Sequence, residues 1–198
     1  MNGMIRAVVI AAAVVLAVFG GTAAFKYYKK SAKAEKGVTD LVLEQNWEKR
    51  EVGRTGVKIL APDNMRDLSF AAVIADNATS QDVRQFSLGT FGFTVLAVET
   101  ENEISGEAFS ADLVNKIKGS GAASSFEYEI KPEKIGGSSG WRLSGTANAG
   151  GQKIRVEALS FSAGKLLRHI AVSFDGNDDK LEKLTARIMD SAEIEQAH

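Results

Sequence analysis

The 198-residue chain contains no cysteine. That excludes disulfides, thiol nucleophiles, thiolate metal sites and lipid attachment through cysteine. Histidine is nearly as scarce. Only His169 and the terminal His198 occur, far apart in sequence, so a zinc or iron centre lacks its usual ligands. No G-x-G-x-x-G or Walker pattern is present, and Gly119-Ser120-Gly121 and Gly150-Gly151 are not phosphate loops. Net charge is also small, at −1, but unevenly spread. Residues 1–36 hold six Lys/Arg and one Glu, while the remainder holds 18 basic and 24 acidic side chains. A mildly acidic domain has no electrostatic reason to seek nucleic acid. There is no internal repeat, and no low-complexity tract beyond a short basic tether.

What is present begins with Ala7–Phe25, an uncharged run of 19 residues framed by Arg6 and KYYKK. As a helix it would extend roughly 28 Å, close to the hydrocarbon thickness of a bilayer. It predicts a single-pass membrane anchor. Gly20-Gly21-Thr22-Ala23-Ala24 also fits the small-residue end of a cleaved signal peptide, although lysines just past a cleavage site hinder export. Lys26, Lys29, Lys30 and Lys33 sit where anionic lipid headgroups would lie, so the lipid bilayer is the first expected partner. By the positive-inside rule these lysines place the following domain in the cytoplasm, while the short Arg-bearing amino end favours the other side. Residues 1–6 then form a short tail, 26–37 a tether, and 38–198 one soluble domain with a real core.

Within that domain Val38, Leu41 and Val42 have helical spacing. Trp47–Val52 and Val57–Ala61 predict a hairpin turned by Gly53-Arg54-Thr55-Gly56 and stopped by Pro62. Asp63–Gln85 is ambiguous by period, and Leu68–Ile74 fits a strand or a turn of helix. Phe86–Glu99 is apolar on both faces and predicts a central strand covered on two sides. Ser105 and Glu107 fit the start of a helix whose buried face is Phe109, Leu113, Val114 and Ile117, ending at Gly119 and Gly121. Phe126–Ile130, Trp141–Ala147, Gln152–Phe161 and Leu166–Phe174 follow at meander spacing. A final helix starts near Asp178 and Asp179, where Asp179 and Glu182 resemble a capping box. Its buried stripe is Leu181, Leu184 and Ile188.

Candidate chemistry is sparse. Gly136-Gly137-Ser138-Ser139-Gly140 fits G-x-S-x-G, but a nucleophile elbow needs a helix after the serine, and here a strand follows in what reads as a hairpin loop. Asp175-Gly176-Asn177-Asp178-Asp179 begins like a calcium loop, yet Lys180 and Ala186 occupy the positions that require Gly and Glu. Asp175, Asp178 and Asp179 are therefore weak metal candidates beside a turn and helix cap. Glu99, Glu101 and Glu103 recur at period two and solvate a strand end or bind a cation. Asn77-Ala78-Thr79 matches a glycosylation sequon and reads as a polar loop. Trp47 and Trp141 read as packing anchors. No catalytic residue and no cofactor is indicated.

GVKILAP at 56–62, FGFTVLAVE at 91–99 with the helix 108–118, and the run from Ile135 to Ile194 together resemble the PsbP/DcrB-like superfamily. In that last run IGGSSGWRLSGTA, GGQKIRVEALSFSAGKLLRHIAVSF and DDKLEKLTARIMDSAEI resemble the superfamily's closing pattern of strand, strand pair and helix. The resemblance implies an α+β fold, an antiparallel β-sheet with helices packed on both faces (an α-β-α sandwich), here preceded by a transmembrane helix. It also implies an extracytoplasmic, membrane-attached or lumenal accessory protein of a group without a common enzymatic activity, and a protein partner in the envelope is expected with it. DcrB-type members are typically lipoproteins, whereas this chain has no lipobox cysteine and would use a peptide anchor. The expectation is a non-enzymatic binding or accessory protein of the bacterial cell envelope. A carboxylate-based hydrolase or metal-binding enzyme, and a structural subunit of an envelope complex, are the alternatives.

Overall fold

The computed structural model describes residues 37–70, 75, 77–121, 123–135 and 137–195. The expected anchor Ala7–Phe25 and Lys26, Lys29, Lys30 and Lys33 lie outside the described residues. Among the described residues no helix is long and apolar enough to cross a membrane.

The order is α1 (Val38–Leu43), β1 (Trp47–Glu51), β2 (Val57–Pro62), β3 (Arg66–Asp67), β4 (Ala78–Leu88), β5 (Phe91–Thr100), α2 (Gly106–Gly119), β6 (Ser125–Ile135), β7 (Ser138–Ala149), β8 (Gln152–Ala163), β9 (Leu166–Asp175), α3 (Asp179–Asp190) and β10 (Glu193–Ile194). Seven strands form one antiparallel sheet in the order β3-β4-β5-β9-β8-β7-β6. A second sheet, β1-β2-β10, is small and also antiparallel.

Strand periodicity sorts the core onto two faces of the large sheet. On one face Leu96, Val98, Leu143, Val156 and Leu167 pack with Leu113, Val114 and Ile117 of α2. On the other Phe93, Val95, Leu159, Ile170 and Phe174 pack with Val42 of α1, Ile59 of β2, and Leu181 and Ile188 of α3. Helices therefore cover both faces, and the small sheet shares the second. β5 is buried along its whole length except Glu99, as its double apolar pattern predicts. Trp47 ties β1 to this second core. Its ring lies 6.0–6.1 Å from those of Phe86, Phe91 and Phe93, and its Nε1 donates to the Val42 carbonyl at 2.8 Å.

Four expectations change. Phe86–Glu99 is two strands rather than one, because Gly89, at φ +59°, allows a tight turn between Leu88 and Phe91. β4, from the ambiguous stretch, escapes a periodicity reading because Asp82 and Arg84 occupy its covered face. Asp82 is 5% exposed and pairs with Arg84 at 2.8 Å while accepting from the Arg54 backbone N–H at 2.5 Å. The loop read at 136–140 is shorter than expected: Ser138, Ser139 and Gly140 already belong to β7, pairing with Ile135, Lys134 and Glu133. The cap of α3 is Asp178, one residue before the expected position. Its Oδ1 accepts from Lys180 and Leu181 N–H. A carboxylate there reaches two of the first turn's free donors, which Asp179, already helical, cannot do.

Candidate functional site

The buried polar groups of this domain divide by whether they are satisfied. Asp82 and Arg84 neutralise each other, Asp67 pairs with Arg84 at 2.9 Å, and Ser69 donates to Asp67, holding its carboxyl below the usual range. This cluster staples the β1–β2 turn to β4.

His169 belongs to a second set, which leaves one ring nitrogen unpartnered. It is 1% exposed, with its Nδ1 2.9 Å from Ser160 Oγ, which lies 2.9 Å from Ser110 Oγ. Ser110 donates to the Gly106 carbonyl at 2.9 Å. That bond uses the Ser110 proton, so Ser110 accepts from Ser160. Ser160 then has no proton left for the ring, and Nδ1–H must donate to it. The bare Nε2 has no hydrogen-bond partner, and Phe109 lies edge-on to the ring at 5.0 Å between centroids. Burial pushes the imidazole pKa down to about 4, so the ring is neutral. A ring that donates to a fully buried serine cannot take a proton from it, so this Ser–His pair is a structural link between α2 and the sheet.

The sequence candidates are placed as follows. Asp175 Oδ1 accepts from Asn177 N–H at 2.9 Å, a turn-type bond. Asp178 caps α3 through Oδ1 and accepts from Thr39 of α1 through Oδ2. Asp179 opens the helix and is exposed. Among the described residues no group of three or more His, Cys, Asp or Glu is arranged to hold a metal ion. Glu99, Glu101 and Glu103 are all exposed, and β5 ends at Thr100, so they do not continue along one strand face. Ser138 is at the start of β7, and His169 lies on the opposite side of the sheet from the groove that Ser138 borders.

Two surface depressions flank β10. The larger, about 580 Å³, is bordered by Glu51, Arg54, Lys58, Glu193 and Glu195. Its charges are of both signs and exposed, with the Arg54 side chain 90% open to solvent. The smaller, about 370 Å³, lies where the β6–β7 turn, the end of β8 and β10 meet, and Arg168 forms part of its wall. Arg168 sits one residue before His169 on β9 and faces the opposite core. It is only 8% exposed. Its Nε donates to the Thr55 carbonyl at 3.0 Å, and its guanidinium lies against Gly56. Gly56 is required twice there. Its φ of +65° disfavours a side chain, and a Cβ would sit 2.8 Å from the Arg168 nitrogens. Among the described residues no carboxylate forms an ion pair with Arg168, and its outer nitrogens make no hydrogen bond. Burial lowers its pKa from the ordinary arginine value, opposed by the charge of Glu195. Ser138 borders the same groove with its hydroxyl unpartnered among the described residues, and Phe161 supplies an apolar wall.

A central antiparallel sheet, helices on both sides and a small accessory sheet have counterparts among solved structures. Cyanobacterial PsbP (CyanoP) from Synechocystis superposes with a TM-score of 0.54, at 10% identity, over 82% of this chain and 97% of that one. The fold is PsbP-like. The Ran-binding protein Mog1p of Saccharomyces cerevisiae (TM-score 0.46, 10% identity, 76% of this chain and 96% of that one) shows a weaker likeness. So does LpqN, involved in cell envelope biogenesis of Mycobacterium tuberculosis (TM-score 0.41, 15% identity, 81% and 98%). No family model and no curated protein matches the sequence. At these identities a PsbP-like fold establishes architecture alone. The groove at Arg168 was missed in the sequence. The available signal was an arginine on the same face as Ile170, Val172 and Phe174.

Proposed function

We propose that this chain is a single-pass, membrane-anchored, non-enzymatic binding or accessory protein of the bacterial cell envelope. Its PsbP-like domain would project from the outer side of the membrane, carried by Ala7–Phe25 and the collar Lys26, Lys29, Lys30 and Lys33. The observation that carries the binding role is the groove at Arg168. It presents a mostly buried arginine and a free hydroxyl without a paired acid and base, an arrangement suited to holding a ligand rather than transforming one. The resemblance to membrane-attached and lumenal accessory proteins supports the compartment, and the uncharged 19-residue run supports the anchor. Two experiments test this. A reporter fused after His198 is expected to be active only outside the cytoplasm, with an intact mature amino terminus by mass spectrometry. Broad screening of the purified protein against ester, phosphate and glycan substrates is expected to yield no turnover. Cytoplasmic reporter activity would overturn the compartment, and turnover would overturn the non-enzymatic role.

A further inference from the structure

We infer that the groove at Arg168 binds a small molecule bearing one carboxylate next to an apolar group. The inference rests on the binding role just proposed and names the chemistry of its ligand. A guanidinium on a residue only 8% exposed gains stability from a directly bonded opposite charge, and none of the described carboxylates forms an ion pair with it. Arg168 Nε is committed to Thr55, which fixes the plane of the fork, and Arg168 borders the groove with its outer nitrogens free of hydrogen bonds. Two parallel N–H groups suit a planar carboxylate. Ser138 adds a hydroxyl donor at the rim, and Phe161 with Ile194 gives an apolar surface beside it. The volume, about 370 Å³, is that of a small-molecule site. Glu195 sets the charge limit. It borders the groove and its field reaches Arg168, so a single anionic charge is accepted and a phosphate dianion is repelled.

The test uses full-length protein in detergent micelles at constant ionic strength, with sodium benzoate, benzamide and sodium phosphate as probes. Thermal melting and calorimetric titration are the readouts. Benzoate is expected to raise the melting temperature saturably. Benzamide, of the same shape without charge, and phosphate are expected to leave it unchanged. Arg168→Met, which keeps the apolar stem, should weaken benzoate about tenfold or more, in line with loss of a charge-assisted pair. Glu195→Gln changes an exposed side chain that forms no ion pair with Arg168. It should tighten benzoate and make phosphate stabilising. If Arg168→Met does not fold, Glu195→Gln decides the matter. No benzoate effect on the unaltered protein, an equal effect in folded Arg168→Met, or unchanged phosphate response in Glu195→Gln would each overturn the inference. Those outcomes leave the membrane topology and the turnover screen untouched, so failure of the ligand class is distinguishable from failure of the accessory role.

Discussion

Arg168 and His169 are neighbours in sequence, yet they face opposite sides of one sheet and have opposite fates. Beneath α2, His169 is neutral, and its one hydrogen bond begins a chain that closes at the Gly106 carbonyl. Beneath the small sheet, Arg168 is charged, makes one bond to Thr55 and leaves its outer nitrogens open. Both residues are more than nine-tenths buried, so burial alone does not separate a structural polar group from a site. The separating property is access. The unpartnered Nε2 of His169 is sealed inside the fold, whereas Arg168 borders a groove that a ligand can enter.

The sharpest challenge to a two-faced description is a large cavity on one face. Phe93 is fully buried in the core that backs the groove. Phe93→Ala should destabilise by about 3–5 kcal/mol. The two tryptophans report the faces separately. Trp47 packs against Phe93, while Trp141 shares a strand face with Leu143 beneath α2. In Phe93→Ala carrying Trp141→Phe, Trp47 fluorescence and far-UV circular dichroism should lose signal at one midpoint. An earlier fluorescence transition would mean that the groove face melts independently.

The second challenge falls on the α2 face. The His169 pKa drops from 6.5 to about 4 on folding, so the folded state binds fewer protons than the unfolded chain between those values. Stability contributed by the neutral ring is full above pH 6.5 and is lost as pH falls towards 4, by about 3 kcal/mol in total. Denaturant midpoints measured across that window should fall with acid, and His169→Leu should flatten this limb while lowering stability at neutral pH. An acid limb of the same size in His169→Leu would assign it to carboxylates instead.

Much of the fold was legible because apolar periodicity was honest. Phe109, Leu113, Val114 and Ile117 predicted the packed face of α2. The alternation in Gln152–Phe161 and the apolar face of Leu166–Phe174 marked two long strands. β4 was not legible, since its face is set by a charge pair that only tertiary contact reveals. β10 was hidden by length: two residues that pair with Lys58 and Val57 carry no periodicity. The site was half legible. Arg168 interrupts an apolar face, which a sequence shows, but its lack of a partner depends on where Thr55, Gly56 and Glu195 converge. Those residues lie in two other segments, the β1–β2 turn and the residue after β10, so their meeting is a property of the fold.

The smallest expected effects compare the helix caps on the two faces. Asp178 opens α3 on the groove side and accepts two backbone N–H groups, at 3.0 and 3.1 Å, plus the Thr39 hydroxyl of α1. Ser105 opens α2 on the other side and accepts one, from Ala108 at 3.3 Å. Removing a cap costs about 0.5–2 kcal/mol, and a carboxylate also interacts with the positive end of the helix. Asp178→Ala should therefore lie near the top of that range and Ser105→Ala near the bottom, measured by denaturant midpoint at neutral pH. Calcium should not shift the melting temperature of the unaltered protein, because the Asp178 carboxylate is already engaged by the helix and by Thr39. A calcium-dependent rise that Asp178→Ala removes would instead make Asp175, Asp178 and Asp179 a cation site, and the cap would be a secondary role. Equal losses in the two alanine variants would show that the second N–H and the α1 contact add nothing to the hold on α3.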